Sequence, residues 1–418
     1  MAWSWSEKAA DALNNWFTPS MPAVKNYVDR GNLDRTIMRE FAQRGRQVLV
    51  YGPTGAGKTS MVLDNLKKLE KSHGTKSVRV TMSNKTTIES FIADVAGRLH
   101  LSRVVQRIQT NEDGVQAEAK AGLRWFSLRA EVQSQSTNQN ITEQYMGIDD
   151  FAILEEVLFK RNTVLIVDDM ENLSVEADGL RIRLAEIAKN MSDDAVNYED
   201  SYAKIVFVGI AETAKELWHD VQSLRSRLAT IAVPYLNETE SKLIIKTGWD
   251  NAKLKSSERQ IDKTVYISTG IGKVLHELGR NAGYAALDEN SQTMKDKYIT
   301  DAIQEVFAVN ELEYRSRLDK AKNKTSTKTT VRNYVLYAMA NSEENTMTTQ
   351  GILSAVNELR NGKEMSSSSL SPVLTKLKGP ALEILTSDDR NYWHFSDPMF
   401  KAYVREHKDE LLLKKAEG

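Results

Sequence analysis

A short apolar stretch that runs directly into a glycine-rich loop and then into a helix is the strongest constraint on what this chain can fold into. Gln47–Tyr51 (QVLVY) is β-branched and apolar, as a buried strand should be. It leads without a spacer into Gly52-Pro53-Thr54-Gly55-Ala56-Gly57-Lys58-Thr59-Ser60, which contains a complete G-x-x-x-x-G-K-[ST] pattern. Val62, Leu66 and Leu69 then recur at helical spacing. Strand, loop and helix in this order turn a string match into a phosphate-binding loop.

The residue types follow from the chemistry. Glycine lets backbone N–H groups approach phosphate oxygens with no Cβ in the way. Lys58 is placed to reach the β- and γ-phosphates, and the Thr59 hydroxyl is an oxygen ligand for Mg²⁺. The start of the following helix adds its dipole to the anion site. The stretch therefore predicts a bound nucleoside triphosphate, with residues 52–60 as its cradle.

With 418 residues, two or three domains are expected. A net charge of −1 announces no nucleic-acid or membrane partner globally, so any such surface must be local. The absence of cysteine excludes disulfides, thiolate metal sites and cysteine nucleophiles, and fits a reducing cytoplasm. No apolar run reaches membrane-spanning length, so no membrane partner is expected. Residues 2–17, with Trp3, Trp5, Leu13, Trp16 and Phe17, form an amphipathic helix expected to dock on its own domain, with partner or lipid binding as the competing readings.

The pattern from residue 32 onward alternates helix and strand. A helix over about 32–43 precedes the loop strand, Val78–Met82 is a second strand, and a helix follows over about 86–101. This alternation implies a parallel sheet flanked by helices. Residues 104–148 interrupt it as an insertion. Arg124, Trp125, Phe126 and Arg129 lie there on an alternating segment whose readings are a nucleic-acid contact, a subunit interface or a decorated surface hairpin. The regular pattern resumes with Thr163-Val-Leu-Ile-Val-Asp168-Asp169, an apolar strand ending in two carboxylates, which is what a Walker B strand looks like. Asp168, at the strand's C-terminal end, is the second metal-site candidate with Thr59 and can hold Mg²⁺ through water; Glu171 follows closely. A further strand, 204–210, precedes Arg225 and Arg227, which are placed to reach a γ-phosphate from a neighbouring subunit or to end a solvated helix. No N-K-x-D guanine-reading pattern follows any strand, which favours ATP over GTP.

This order of parts resembles the AAA+ ATPases, in the branch that includes origin-recognition proteins and transposition regulators. The resemblance rests on Gly52–Thr59, Leu165–Asp169, the Arg225/Arg227 segment and Val233-Pro-Tyr-Leu-Asn237, and covers about three quarters of the chain. It implies an α/β P-loop sheet over 32–235, a helical lid over 236–312 and a C-terminal winged helix. It also implies ATP and Mg²⁺ as cofactors, and a homo-oligomer with ATP between subunits. Asp169 sits where such ATPases often carry the glutamate that polarises water, with Glu171 as a substitute. Lys273 matches the lid sensor, where the family often has arginine. Gly209-Ile210-Ala211-Glu212 lacks the usual polar sensor, or leaves that role to Glu212. These departures imply a slow ATPase that works as a switch.

Residues 313–330 are basic and are expected as a helix end and linker. The order helix, helix, helix, hairpin, helix over 331–418 reads as the winged helix, with Ser371 capping its third helix and Pro372 opening it. That helix offers serines and lysines for phosphates but no Asn, Gln or Arg to read bases. DNA and a protein effector are both expected partners. The alternative is a signalling or defence ATPase whose winged helix docks an effector or holds the protein inactive.

Overall fold

The computed structural model describes residues 5–102, 126–127, 151–173, 178–210, 224–323, 330–360, 364–388 and 392–412. Trp3, Arg124, Trp125, Arg129 and Glu212 lie outside them. The chain divides into two compact units.

The first unit joins Asp29–Thr54 to Lys58–Val233. Its elements are α2 (Asn32–Ala42), β1 (Gln47–Tyr51), α3 (Lys58–His73), β2 (Lys76–Thr81), α4 (Ile88–Arg98), β3 (Leu101–Ser102), β4 (Phe126–Ser127), α5 (Phe151–Lys160), β5 (Thr163–Asp168), α6 (Asp178–Asp194), β6 (Ile205–Gly209) and β7 (Leu228–Ala232). Five strands form a parallel sheet in the order β2-β5-β6-β1-β7. The central strands β1, β5 and β6 are apolar because helices cover both faces, so every position from Val164 to Val167 is buried. Thr87 accepts from the Ser90 N–H in a capping box that starts α4 at Ile88, two residues later than the periodicity suggests, and Leu101, expected at the helix end, lies in β3 instead.

Lys204 shows how such a core accepts a charge. Its buried ammonium donates to the carbonyls of Glu40, Phe41 and Gln43 at the end of α2, at 3.1, 2.7 and 2.7 Å. Three carbonyls replace water and satisfy the acceptors that a helix C-terminus leaves open. Burial still pushes its pKa down to about 7.

The second unit joins Met1–Val28, Gly55–Gly57 and Pro234–Gly418. It contains α1 (Trp5–Trp16), α7 (Glu238–Asn251), α8 (Glu258–Ser268), α9 (Gly272–Asp288), α10 (Asp296–Ala308), α11 (Glu311–Ala321), α12 (Val331–Asn341), β8 (Met347–Thr348), α13 (Thr349–Leu359), α14 (Ser367–Lys378), β9 (Leu385–Ser387), β10 (Tyr392–Phe395) and α15 (Pro398–Glu406). A single hydrophobic core runs from Ala9 and Leu13 through Trp249 and Tyr298 to Phe400 and Tyr403. The amphipathic α1 docks in a slot lined by glycines. A Cβ on Gly248 or Gly279 would come within 2.2 or 2.4 Å of the Phe17 ring, and one on Gly283 within 2.4 Å of Leu13. The Thr18 N–H donates to His276 Nδ1 at 3.0 Å, and burial holds that imidazole down to about 4, so it stays a neutral acceptor.

Two local expectations are corrected. Residues 313–321, expected as a helix end passing into a basic linker over 313–330, belong to the helix α11, because Tyr314, Leu318 and Ala321 fall on one buried stripe beneath the basic face. The third helix of the C-terminal segment begins at Ser367 rather than at Pro372, because Leu370 is buried in register with Leu374 and Leu377 and draws the helix back one turn. Pro372 thus lies inside α14. The three strands there form an antiparallel sheet in the order β8-β10-β9.

Candidate nucleotide site

The loop begins where β1 ends. Gly52 passes so close to the Val233 carbonyl that a Cβ would lie 2.1 Å from its oxygen, which excludes every other residue type. Gly55 and Gly57 have φ of 81° and 83°, the left-handed region that glycine enters without strain. The loop tip, Gly55–Gly57, groups with the second unit, within which the Gly272 N–H at the start of α9 donates to Gly55 O at 2.8 Å. Lys273 is the next residue, and it is exposed, its ammonium 4.0 Å from Glu277 one turn along the helix.

Lys58 opens α3 and turns back on the loop, donating to Gly52 O at 3.0 Å and Pro53 O at 3.2 Å. Burial pushes its pKa down, and Glu171, then Asp168 and Asp169, oppose that shift. The next residue on the helix, Thr59, donates its hydroxyl to Asp168 at 3.0 Å from Oδ2 and 3.3 Å from Oδ1. The sheet order makes this meeting possible: β5 and β1 flank β6, and both end at the same edge.

Asp168 is fully buried, and three donors hold its carboxylate. Besides Thr59, Oδ1 accepts the Asp169 N–H at 2.9 Å and Oδ2 accepts Arg79 Nε at 2.7 Å. Arg79 was not singled out in the sequence. Its signal was a lone arginine in Val78–Met82, two residues before Thr81, which pairs with Asp168 across the sheet.

Asp169 adopts φ 56° and ψ 41°, a left-handed conformation that Asp tolerates better than most residues. The kink feeds one 3₁₀ turn, Met170–Asn172. Glu171, on that turn, has one carboxylate oxygen, Oε2, that is buried with no hydrogen-bond partner. Burial raises its pKa, opposed by its own backbone N–H and by Lys58. Asp169 is also raised, first by burial and then by the Asp168 charge.

A hydroxyl beside a buried carboxylate is a hard-oxygen pair of the kind Mg²⁺ takes, with phosphate and water filling its other positions. No cluster of three or more His, Asp or Glu suited to a metal exists among the described residues, and a magnesium held partly by phosphates needs none.

Arg227 and Arg225 precede β7. Arg227 donates through Nε to Asp193 Oδ1 on α6 at 2.8 Å, and its Nη2 lies 2.7 Å from the same oxygen. Arg225 is exposed and makes no hydrogen bond or ion pair with a described residue.

Residues 42–217 match a family profile described as an AAA domain. The fold of the chain is the P-loop α/β sheet of that class, with a helical C-terminal region. Among curated protein sequences, none matches. Among solved structures, the chain is similar to the Orc1 protein of Aeropyrum pernix in complex with DNA, at 15% identity and a TM-score of 0.45, covering 95% of this chain and 97% of that one. It is similar to Cdc6p of Pyrobaculum aerophilum at 13% identity and a TM-score of 0.47, covering 96% and 99%. The RuvB Holliday junction branch migration motor of Thermotoga maritima matches at 12% identity and a TM-score of 0.43, covering 93% and 98%.

Proposed function

We propose that this protein binds ATP with Mg²⁺ and hydrolyses it slowly, as a switch that assembles into a homo-oligomer on DNA and there recruits or regulates an effector protein. The observation that carries the nucleotide reading is the meeting of Thr59 and Asp168 at 3.0 Å beside Lys58, at the end of a glycine loop. In this reading backbone N–H groups of residues 52–60 hold the phosphates, and Lys58 exchanges its loop carbonyls for phosphate oxygens. Thr59 and Asp168 hold the metal, which would neutralise charge on the β- and γ-phosphates. Glu171 orients and deprotonates the attacking water, because its Oε2 is the buried acceptor with no partner. Asp169 holds the turn that presents it. Arg225 serves a neighbouring subunit's γ-phosphate, and Lys273 reports the nucleotide to the lid. A tight switch rather than a motor suits a chain with no polar residue at Gly209 or Ile210.

The test is equilibrium binding of ATP to the wild-type chain and to Lys58→Ala. The variant should bind about 10- to 100-fold more weakly, the scale of losing a charge-assisted hydrogen bond. Equal affinity rejects the loop as the site. Assembly on DNA predicts binding that weakens steeply with salt, and no affinity at low salt with ATP present removes DNA from the proposal.

One observation favours a second reading, in which the C-terminal winged helix docks a protein. Lys378, a phosphate candidate of α14, is already engaged, donating to Ser387 at 2.8 Å and lying 5.8 Å over the Trp393 ring. Nucleotide-dependent oligomers forming without DNA would support that reading, in which a signalling or defence effector is the partner.

A further inference from the structure

The ion pair between Arg79 and Asp168 has no part in the roles above, and it lies on the carboxylate that the proposed function gives to the metal. Arg79 reaches Asp168 Oδ2 at 2.7 Å from the edge strand β2. Register explains the reach: Thr81 pairs with Asp168, so Arg79 is its diagonal neighbour on the same face of β2. Asp168 is fully buried, while the Arg79 side chain is one-third exposed. A buried carboxylate needs a compensating charge, and Arg79 supplies one from a side chain that still reaches solvent.

Two cations cannot share that oxygen on equal terms. The guanidinium partly neutralises the charge that attracts a dication, occupies one lone-pair direction, and would stand within a few ångströms of the metal, where like charges repel strongly. We propose that Arg79 is a stand-in counter-ion for Asp168. It keeps the carboxylate paired when no metal is bound, and it must yield Oδ2, swinging toward solvent at the sheet edge, when Mg²⁺ and nucleotide bind. Arg79 is thus a positioning residue that sets the Mg²⁺ requirement of the site. The inference rests on Asp168 being a metal ligand.

The test follows binding of a fluorescent ATP analogue, without turnover, as Mg²⁺ is titrated. Arg79→Gln keeps a hydrogen bond to Asp168 but removes the charge. It should lower the Mg²⁺ concentration for half-maximal binding by about tenfold, a modest share of the repulsion expected at this separation. An unchanged or raised Mg²⁺ requirement overturns the proposal. Arg79→Lys keeps a cation and should stay within about threefold of wild type, as expected of a charge effect rather than a packing effect. If Arg79→Gln fails to fold, Arg79→Met with the same titration takes its place, and in thermal melts its deficit should be larger in EDTA than with Mg²⁺ and ATP. A deficit equal in both conditions means Arg79 is only structural. Asp168→Asn separates the two readings: it should raise the Mg²⁺ requirement, and if it does not, the metal assignment itself fails whatever Arg79 does.

Discussion

The carboxylates that follow β5 and the arginines that precede β7 are divided in the same way. At the first place Asp168 is held by Thr59, Arg79 and a backbone N–H, while Glu171, three residues on, keeps one buried oxygen with no partner among the described residues. At the second, Arg227 is held on Asp193 Oδ1, while Arg225, two residues earlier, is exposed with no partner among the described residues. A charged group already paired within its own fold must give up existing bonds before it makes new ones to a ligand. A buried oxygen without a partner costs free energy and is poised to accept a proton, whereas an exposed guanidinium keeps its donors on water and gives up little to reach a ligand. In the proposed function Glu171 and Arg225 take the reacting roles, Asp168 a place beside the metal, and Arg227 a structural one.

The arginines give the largest expected effect. Arg225→Ala should lower ATP hydrolysis by the assembled protein by about 10³-fold, the lower end for an arginine acting on phosphoryl transfer, with ATP affinity of the single chain unchanged. Arg227→Ala should change turnover little. If the two variants exchange these outcomes in a steady-state assay, the division at β7 is wrong.

At the other place, Glu171→Gln should slow hydrolysis by about 10²- to 10³-fold and leave nucleotide binding intact, as removal of a general base does. Asp169→Asn should cost less, since that side chain shapes the turn. Single-turnover kinetics on both variants distinguishes a base at 171 from one at 169.

The pH profile sharpens the same point. Burial raises the Glu171 pKa above its ordinary 4.5. Below the raised value the carboxyl is protonated and cannot take a proton from water, so hydrolysis should fall on an acid limb lying above 4.5. That limb should be absent from the residual activity of Glu171→Gln, and its persistence would assign it to another group.

The smallest effect concerns Arg227. Its pair with Asp193 is partly exposed, so Arg227→Ala should destabilise the chain by no more than about 1 kcal/mol in chemical denaturation.

The loop at 52–59 and the strand ending at Asp168 were legible because their residue types are dictated by contacts with backbone and phosphate that recur wherever such a loop is built. The parallel sheet followed from alternating helical and strand periods, and its buried strands from unbroken apolar runs. The reading faltered where a polar surface hid a buried stripe. In α11 the lysines and arginines outnumber Tyr314 and Leu318 in any composition window, yet those two residues decide the helix. Pro372 misled for a related reason: its preference for the first turn is local, and the burial of Leu370 is not.

The sequence by itself determined the strand-loop-helix, the identity of the two oxygen groups at 59 and 168, and the segment that α1 would present to its own unit, because each depends on residue type at short spacing. It named two candidates at each charged position and could not choose between them. Only the tertiary structure decided that Arg79, 89 residues before Asp168, shares its carboxylate, and that Glu171 Oε2 is buried with no partner among the described residues. Hydrogen-bond satisfaction is a property of neighbours brought together by strand order, and strand order is not written in any one stretch of the chain.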